Sequence, residues 1–230
     1  MDPSFARTYY ESAARNHWWF RGRAELVSGL LSRHETKPRT ALDIGAGSAT
    51  LFPSSIDVVK ADIVIPDRPS EGFVVASATN LPFRDENFEA AGLFDVVEHL
   101  EDPVEALVEA RRVVTSTGCL IITVPAHERL WSEHDVVVGH LTRYDEPRLR
   151  DLLLEAGWQP VWMTYFYAFL LPAAVIRKAV RSATGMSLPP KWVNRPLAEV
   201  AVRSARRAVR SQSKWGLSIG AVAVRSSLIR

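Results

Sequence analysis

The run Thr40-Ala41-Leu42-Asp43-Ile44 stops abruptly on Gly45-Ala46-Gly47-Ser48-Ala49. A short apolar run ended by glycine reads as a buried strand. Two residues without a Cβ then let the backbone turn sharply, here expected to be into a helix, and let it approach a ligand closely. The same alternation continues along the chain. Asp57 to Val64, Phe73 to Ala76, Phe88 to Phe94, Cys119 to Val124 and Trp158 to Tyr165 read as strands, with a last strand from Trp215-Gly216 to Val224. Arg23 to His34, Pro103 to Val114, Glu146 to Ala156 and Leu197 to Arg210 carry apolar residues at helical spacing, and Thr115-Ser116-Thr117-Gly118 reads as the turn that closes the second of them. Strands alternating with helices imply an α/β chain with a mostly parallel sheet and helices on both faces, whose ligands bind beyond the carboxyl ends of the strands.

The glycine loop also discriminates between ligands. A nicotinamide fingerprint reads G-x-G-x-x-G, but the position five after Gly45 is Thr50, and the spacing present is G-x-G-x-A, ending on Ala49. Asp43, two residues before the first glycine, would repel a pyrophosphate. A ligand carrying a methionine ammonium and a sulfonium has use for that acid and for the backbone amides. Asp62, near the end of the second strand, stands where an acid holds ribose hydroxyls; ribose is common to both ligand classes.

Charge divides the chain unevenly. The net charge is +2, yet residues 167–230 hold twelve Lys and Arg against the single acid Glu199, a balance of +11 that leaves −9 on residues 1–166. Such asymmetry suggests different partners for the two parts. Arg203, Arg206, Arg207 and Arg210 fall on one helical face, and Ala198, Ala201, Ala205 and Ala208 mostly on the other. The uncharged run Tyr165 to Ile176 has 12 residues, short of the ~20 needed to cross a bilayer, though a helix of this kind can lie on an anionic surface. Peripheral contact with an anionic membrane through this basic part is one expectation, and a solvated basic face is the other. Nucleic acid ranks lower because arginines alternate with alanines and no recognised binding module is present. Cys119 is the single cysteine, which excludes an intrachain disulfide and a multi-cysteine zinc site. With an acid and a proline near the start in place of a secretory signal, the expected setting is cytoplasmic. Oligomeric state is not read from the sequence.

Four stretches carry a family resemblance: Ala41 to Ala49, Leu81-Pro82-Phe83-Arg84-Asp85-Glu86-Asn87-Phe88, Asp95-Val96-Val97-Glu98-His99-Leu100, and Val124-Pro125. In this order and spacing the chain resembles class I S-adenosylmethionine-dependent methyltransferases of the ubiquinone-biosynthesis-like, type 11 group. The resemblance implies a Rossmann-like seven-stranded sheet whose last two strands are antiparallel. It divides a single domain into an N-terminal aromatic and helical cap (1–36), a cofactor-binding core (37–165), a basic helical insertion overhanging the acceptor site (166–214) and the last strand (215–230). It also implies S-adenosylmethionine as methyl donor, held by Asp43, Gly45, Ala46 and Gly47 at the methionine part, Asp62 and Ile63 at the ribose, Ser77, Ala78 and Leu81 near adenine, and Phe94, Asp95 and Val96 after the fourth strand. Ser77 stands where many relatives have an acid. The aromatic N-terminal segment, with Tyr9, Tyr10 and Trp18-Trp19-Phe20, implies a cap in which Trp19 and Arg23 touch the methionine end or else seal the core.

The implied activity is methyl transfer to the oxygen or carbon of a small-molecule or lipid-linked acceptor. The alternatives are a non-catalytic adenosylmethionine-binding subunit and an RNA 2′-O-methyltransferase. Of six histidines, His17 and His34 lie off the expected carboxyl edge, while His99, His127, His134 and His140 follow the fourth and fifth strands. His134 and His140, in a loop shared with Trp131, Arg143 and Tyr144, are the expected proton acceptors. Asp95-x-x-Glu98-His99 with a later histidine also resembles the metal pattern of some O-methyltransferases; no metal is assigned on that basis, because Asp95 stands where that pattern has Glu.

Overall fold

A computed structural model describes residues 17–35, 37–47, 49–66, 69, 71–180 and 189–226, with 176–180 described by their backbone. Tyr9, Tyr10, Ser48, Arg181 and Arg230 lie outside the described residues. Seven strands form one sheet: β1 (Thr40–Ile44), β2 (Asp57–Asp62), β3 (Phe73–Val75), β4 (Phe88–Phe94), β5 (Val114–Pro125), β6 (Trp158–Phe166) and β7 (Ser218–Arg225). Their order is β3-β2-β1-β4-β5-β7-β6. All pairs are parallel except those of β7, which runs antiparallel to both β5 and β6. The Rossmann-like, mostly parallel sheet expected from the sequence is therefore present.

The residues read as a turn, Thr115 to Gly118, instead lie within β5. Pairing steps from Phe88 opposite Val114 to Ala90 opposite Cys119, so these residues form a bulge in the strand rather than its prelude. Gly118 is required there, because a Cβ would meet the Glu89 carbonyl oxygen at 2.6 Å.

The two faces of the sheet are covered differently. Helices α2 (Pro103–Val113) and α4 (Glu146–Glu155) lie on one face over Leu42, Ile44, Leu93, Leu120, Ile122 and Val124. Both start on an aspartate that caps the first turn: Asp102 accepts from Glu105 N at 3.0 Å, and Asp145 accepts from Arg148 N at 2.9 Å. On the other face, the crossovers from β1 to β2 and from β2 to β3 hold no helix among the described residues. The helix expected after the glycine loop is thus absent: the path from Gly47 to Asp57 is short and contains Pro53.

That face is closed by elements from the two ends of the described chain. Helix α1 (Trp18–Leu31) lays Leu26, Val27, Leu30 and Leu31 on Ala41, Ala90, Cys119, Ile121 and Val222. Helix α6 (Lys191–Ser211) packs along α1, its Ala201, Ala205, Ala208 and Val209 buried and its arginines outward. The contact is close: a Cβ at Gly22 would come within 2.8 Å of the Ala201 Cβ, and one at Gly29 within 2.9 Å of Val209. The expectation that the whole 166–214 insertion overhangs the acceptor site is corrected. Among the described residues, its first part, α5 (Leu171–Val180), lies against the 128–130 turn beyond β5, while α6 serves as a covering helix of the sheet. The apolar area it buries there is unavailable from a conventional crossover. Among the described residues, no helix is long and apolar enough to cross a membrane.

Because α1 and α6 meet through glycine and alanine, added volume cannot be absorbed. Ala205→Leu is expected to cost about 1–3 kcal/mol in urea unfolding, whereas Arg207→Ala, on the exposed side of the same helix, should change stability by less than about 0.5 kcal/mol.

Candidate cofactor and acceptor site

The carboxyl ends of β1, β2, β4 and β5 meet beneath the glycine loop. Gly45 and Ala46 both donate backbone N–H groups to the Ala61 carbonyl, at 2.7 and 3.2 Å, and Gly47 donates to the Asp62 carboxylate at 2.8 Å. Asp62 accepts a second bond from Val64 N at 3.0 Å. These bonds fold the loop back over β2 and fix the Asp62 carboxylate at its rim, with lone pairs still open to ribose hydroxyls. Gly45 and Gly47 have φ of +71° and +52°, conformations that a side chain disfavours. A Cβ at Gly45 would also strike Val96 at 2.5 Å, whereas one at Gly47 would meet nothing within 4 Å. Gly45 is thus packed against the chain that follows β4, and Gly47 faces open space.

Asp43 lies below this loop, 1% exposed, and neither carboxylate oxygen has a hydrogen-bond partner among the described residues. Burial pushes its carboxyl up to about 7, opposed by the nearby Thr50 hydroxyl and Lys60 ammonium. A buried carboxyl in this state is one that a cation would stabilise in its ionised form.

The remaining expected contacts sort clearly. Ala76 N–H donates to the Asp62 carbonyl, which sets Ser77 and Ala78 beside the β2 end; the Ser77 hydroxyl lies 3.0 Å from that of Thr79. Ile63 is 70% exposed next to Asp62 and offers an apolar surface there. Phe94 packs edge-on against Phe52, ring centres 5.3 Å apart. Leu81 is the exception. Its side chain is buried in the α2-side core and its N–H is taken by Glu109 at 2.8 Å, so the structure does not bring it to the cradle.

Arg23 enters from α1 as a buried cation. It forms an ion pair with Asp95 and donates to the Thr123 hydroxyl at 2.5 Å; Thr123 in turn donates to Asp95 at 3.0 Å. Asp95 has φ +57°, so this triangle holds the backbone after β4 in a left-handed turn. The Arg23 Nε–H has no partner among the described residues, and its guanidinium lies 5.9 Å from the Trp19 ring centre. Trp19 packs on Tyr167, whose hydroxyl donates to the Trp19 carbonyl at 2.5 Å. The cap residues expected from the sequence therefore reach the β4 end, where Arg23 is engaged by Asp95 rather than free.

Across the edge, the loop between β5 and α4 forms a second polar group. Helix α3 (Glu133–Val138) begins with a capping box in which Ser132 and Asp135 satisfy each other. Asp135, fully buried, also binds Arg143 through both oxygens at 2.8 and 3.1 Å and His140 Nδ1 at 2.8 Å. Burial works against its charge, yet His140, Arg143 and the Ser132 N–H hold its carboxyl well below the usual carboxylate range. His140 is thereby oriented with Nε2 toward Glu98 Oε1, 3.9 Å away. His134 sits half-buried on α3. Of the two histidines expected to face the acceptor, the structure brings His140 to the strand ends. His127 instead stacks on Tyr165 with ring centres 5.3 Å apart. Asp135 and Thr123 are missing from the sequence-based expectations, in which Arg143 figures as a neighbour in the histidine loop; the Ser132-x-x-Asp135 spacing is the one signal that marks either of the two.

Comparison with known proteins agrees with this geometry. A methyltransferase domain family matches residues 42–122. A demethylmenaquinone methyltransferase of Paenarthrobacter aurescens is 31% identical over 110 residues, which is 40% of this chain and 44% of that protein; the chain thus matches under half the length of this relative. The structure resembles a Burkholderia thailandensis 1,6-didemethyltoxoflavin-N1-methyltransferase with bound 1,6-didemethyltoxoflavin and S-adenosylhomocysteine, with TM-score 0.53, 17% identity, and coverage of 97% of this chain and 86% of that one. It also resembles the [4+2]-cyclase SpnF, with TM-score 0.57, 16% identity, and coverage of 95% and 86%. These two likenesses establish the fold, and the second shows that the fold does not by itself dictate the reaction. The acid before the glycine loop, the loop itself and the acid after β2 all fall on one sheet edge, within the stretch 42–122 in which the chain is similar to the methyltransferase domain family.

Proposed function

We propose that the chain transfers the methyl group of S-adenosylmethionine to a small-molecule acceptor. The observation that carries this is the orphaned Asp43 carboxyl beneath the Gly45–Gly47 turn. It is complementary to the α-ammonium of a methionine moiety and to no part of a pyrophosphate. In this reading Gly47 leaves room for the methionine chain, Asp62 holds the ribose, Ile63 and Ala78 border the adenine with Ser77 as a hydrogen-bonding group, and Arg23 fixes the Asp95-Val96 backbone beside the sulfur. Adenosylmethionine supplies a methyl group already activated by its positive sulfur. As the acceptor lone pair forms its bond to the methyl carbon, the C–S pair returns to sulfur, and an acceptor that carried a proton loses it to a base or solvent. The chain's own contribution is alignment of donor and acceptor in a site screened from water by Trp19, Phe94 and the 126–144 loop. Oxygen or carbon as acceptor atom, and a lipid-linked acceptor, are the finer forms of this proposal.

Calorimetric titration tests it: adenosylmethionine and adenosylhomocysteine should bind and NAD should not, and a micromolar NAD signal without the others would overturn the assignment. Turnover on candidate acceptors then separates an enzyme from a silent binding subunit. In the same titrations Gly47→Ala should fold with a loss of about 1–2 kcal/mol from its positive φ, yet lose at least about tenfold in affinity because its Cβ would fill the cradle. Gly45→Ala should be the more destabilised of the two, since it adds the Val96 clash.

The pH dependence has a defined sign. The Asp43 carboxyl is raised to about 7 in the free protein, so binding an ammonium requires that it first lose its proton. Affinity should rise by up to about tenfold per pH unit toward 7. It should fall again above about 8, where an α-amino group deprotonates. Asp43→Asn should weaken binding and flatten the acid limb while leaving the alkaline limb in place.

A second, separate feature bears on where the acceptor is met. The outer face of α6 exposes Arg195, Arg203, Arg207 and Arg210, and Trp192 and Trp215 near its two ends are 80% and 70% exposed. Arginines flanked by exposed tryptophans suit the interface of an anionic membrane. Sedimentation with phosphatidylglycerol vesicles at low salt should carry the protein down, with a loss on Arg203→Glu/Arg207→Glu substitution; no sedimentation would reject membrane contact.

A further inference from the structure

We propose that Glu98, His99 and His140 form a binding site for one divalent transition-metal ion of the zinc type, open on one side toward the acceptor. One ligand atom from each of the three lies within 4.8 Å of the other two, and His140 Nε2 is 3.9 Å from Glu98 Oε1. Metal–ligand bonds of ~2.0–2.2 Å in tetrahedral geometry require donors about 3.4 Å apart, so the observed spacing closes with side-chain shifts of an ångström or so.

Several independent features distinguish this group from a chance cluster of polar side chains. Glu98 is fully buried, and neither carboxylate oxygen has a hydrogen-bond partner among the described residues, a costly arrangement without a cation. Both imidazoles are held from behind at Nδ1. The Asp135 carboxylate lies 2.8 Å from that of His140, and the Gly139 carbonyl 3.0 Å from that of His99. A ring that donates from Nδ1 to a carboxylate or carbonyl keeps its Nε2 lone pair for a metal, and such backing is what orients histidine ligands. The segment carrying His140 is also tied to the one carrying the other two ligands, because Leu141 N–H donates to the Glu98 carbonyl at 2.7 Å. The ligand set is therefore assembled before any ion arrives.

Two imidazoles and one carboxylate select zinc, cobalt, nickel or iron over magnesium and calcium. Three protein ligands leave a position open, and the exposed side of His99 is where it can face solvent. Asp95 belongs to the Arg23 ion pair rather than to this group. With the ion in place His140 is a ligand, which replaces the proton-acceptor role expected for it from the sequence. The ion then lowers the pKa of a coordinated acceptor hydroxyl. This last step rests on the methyl-transfer proposal, whereas metal binding itself does not.

The experiment uses the full chain, stripped with a chelator and titrated with Zn²⁺ against a chromophoric competitor, and with Co²⁺ followed by its visible absorption. One ion per chain, and a Co²⁺ spectrum of tetrahedral or five-coordinate type, are expected. Glu98→Gln and His99→Asn, verified as folded by circular dichroism, should each weaken Zn²⁺ binding by at least about 100-fold while still binding adenosylmethionine. Absence of stoichiometric metal in the folded wild-type chain would overturn the site. So would equal uptake by both variants, which would assign the ion to other side chains. Failure of adenosylmethionine to bind a chain that still takes up one Zn²⁺ would refute the methyl-transfer proposal and leave the metal site standing.

Discussion

The closure of one sheet face by α1 and α6 is the constraint from which the rest of the architecture follows. A parallel sheet buried on both sides normally takes its covering helices from its own crossovers. Here two of those crossovers hold no helix among the described residues, so Ala41, Ala90, Ile121 and Val222 would face water unless elements from elsewhere in the chain covered them. Helix α1 supplies the larger side chains, and α6 packs behind it through alanines. The pairing is pinned at its ends by polar contacts: Trp18 N–H to Asn194 at 2.9 Å and Arg33 to the Val209 carbonyl at 2.8 Å. Because the chain must return from β6 to the antiparallel β7 in any case, the α6 segment can serve as a face of the core at no cost to the sheet order.

This arrangement delivers Arg23 to the ends of β4 and β5. A buried guanidinium is tolerable only when paired and hydrogen-bonded, and Asp95 with Thr123 meets that need. The covering helix and the backbone turn at Asp95 are thereby coupled: moving α1 would strip Asp95 of its partner, and Asp95 in turn precedes Val96, which packs against Gly45. The glycine loop is positioned less by a following helix, as expected from the sequence, than by side chains of the β4 turn on one side and Asp62 on the other.

The sequence made the sheet legible because burial on both faces writes strands as unbroken apolar runs. The bounds read for β1 and β4 are the bounds observed. Helix termini were less legible, for identifiable reasons. His17 caps α1 by accepting from Trp19 N–H at 3.2 Å, and histidine is not among the side chains that announce an N-cap. The helical spacing is readable from Leu197, but the helix starts at Lys191 and runs through Pro196, well before its alanine face meets α1. Thr115 to Gly118 carries turn chemistry yet lies in a bulge, where the same residue types are accepted for the same reason. In the site, the residues borne by local spacing were readable: Asp43, Gly45, Gly47 and Asp62. The pairings that hold the other site residues were not: Arg23 with Asp95 and Thr123, 72 and 100 positions away, and, within one loop, Asp135 with His140 and Arg143. The placement of Leu81 failed for the opposite reason, because its apolar side chain satisfied the core before it could line a ligand.

Asp43 and Glu98 are the two carboxyls that the fold buries without hydrogen-bond partners among the described residues, and they lie on opposite flanks of the β4 end. Both are raised, Asp43 to about 7 and Glu98 well above the usual range, in each case first by burial and, for Glu98, by the Asp95 charge as well. A folded-state pKa above its unfolded value means that the native chain binds more protons, so each group weakens stability as pH rises from the unfolded carboxylate range through its folded value. Asp135 acts in the other direction, its lowered carboxyl contributing stability above the unfolded range and losing it as pH falls. A chain selected only for stability would have no reason to keep the first two as acids, since an amide or apolar isostere avoids the desolvation. The fold instead places stabilising charge where partners exist, at Arg23–Asp95 and Asp135–Arg143, and leaves unpartnered carboxyls at the two points where a methionine ammonium and a metal ion would favour their ionised form.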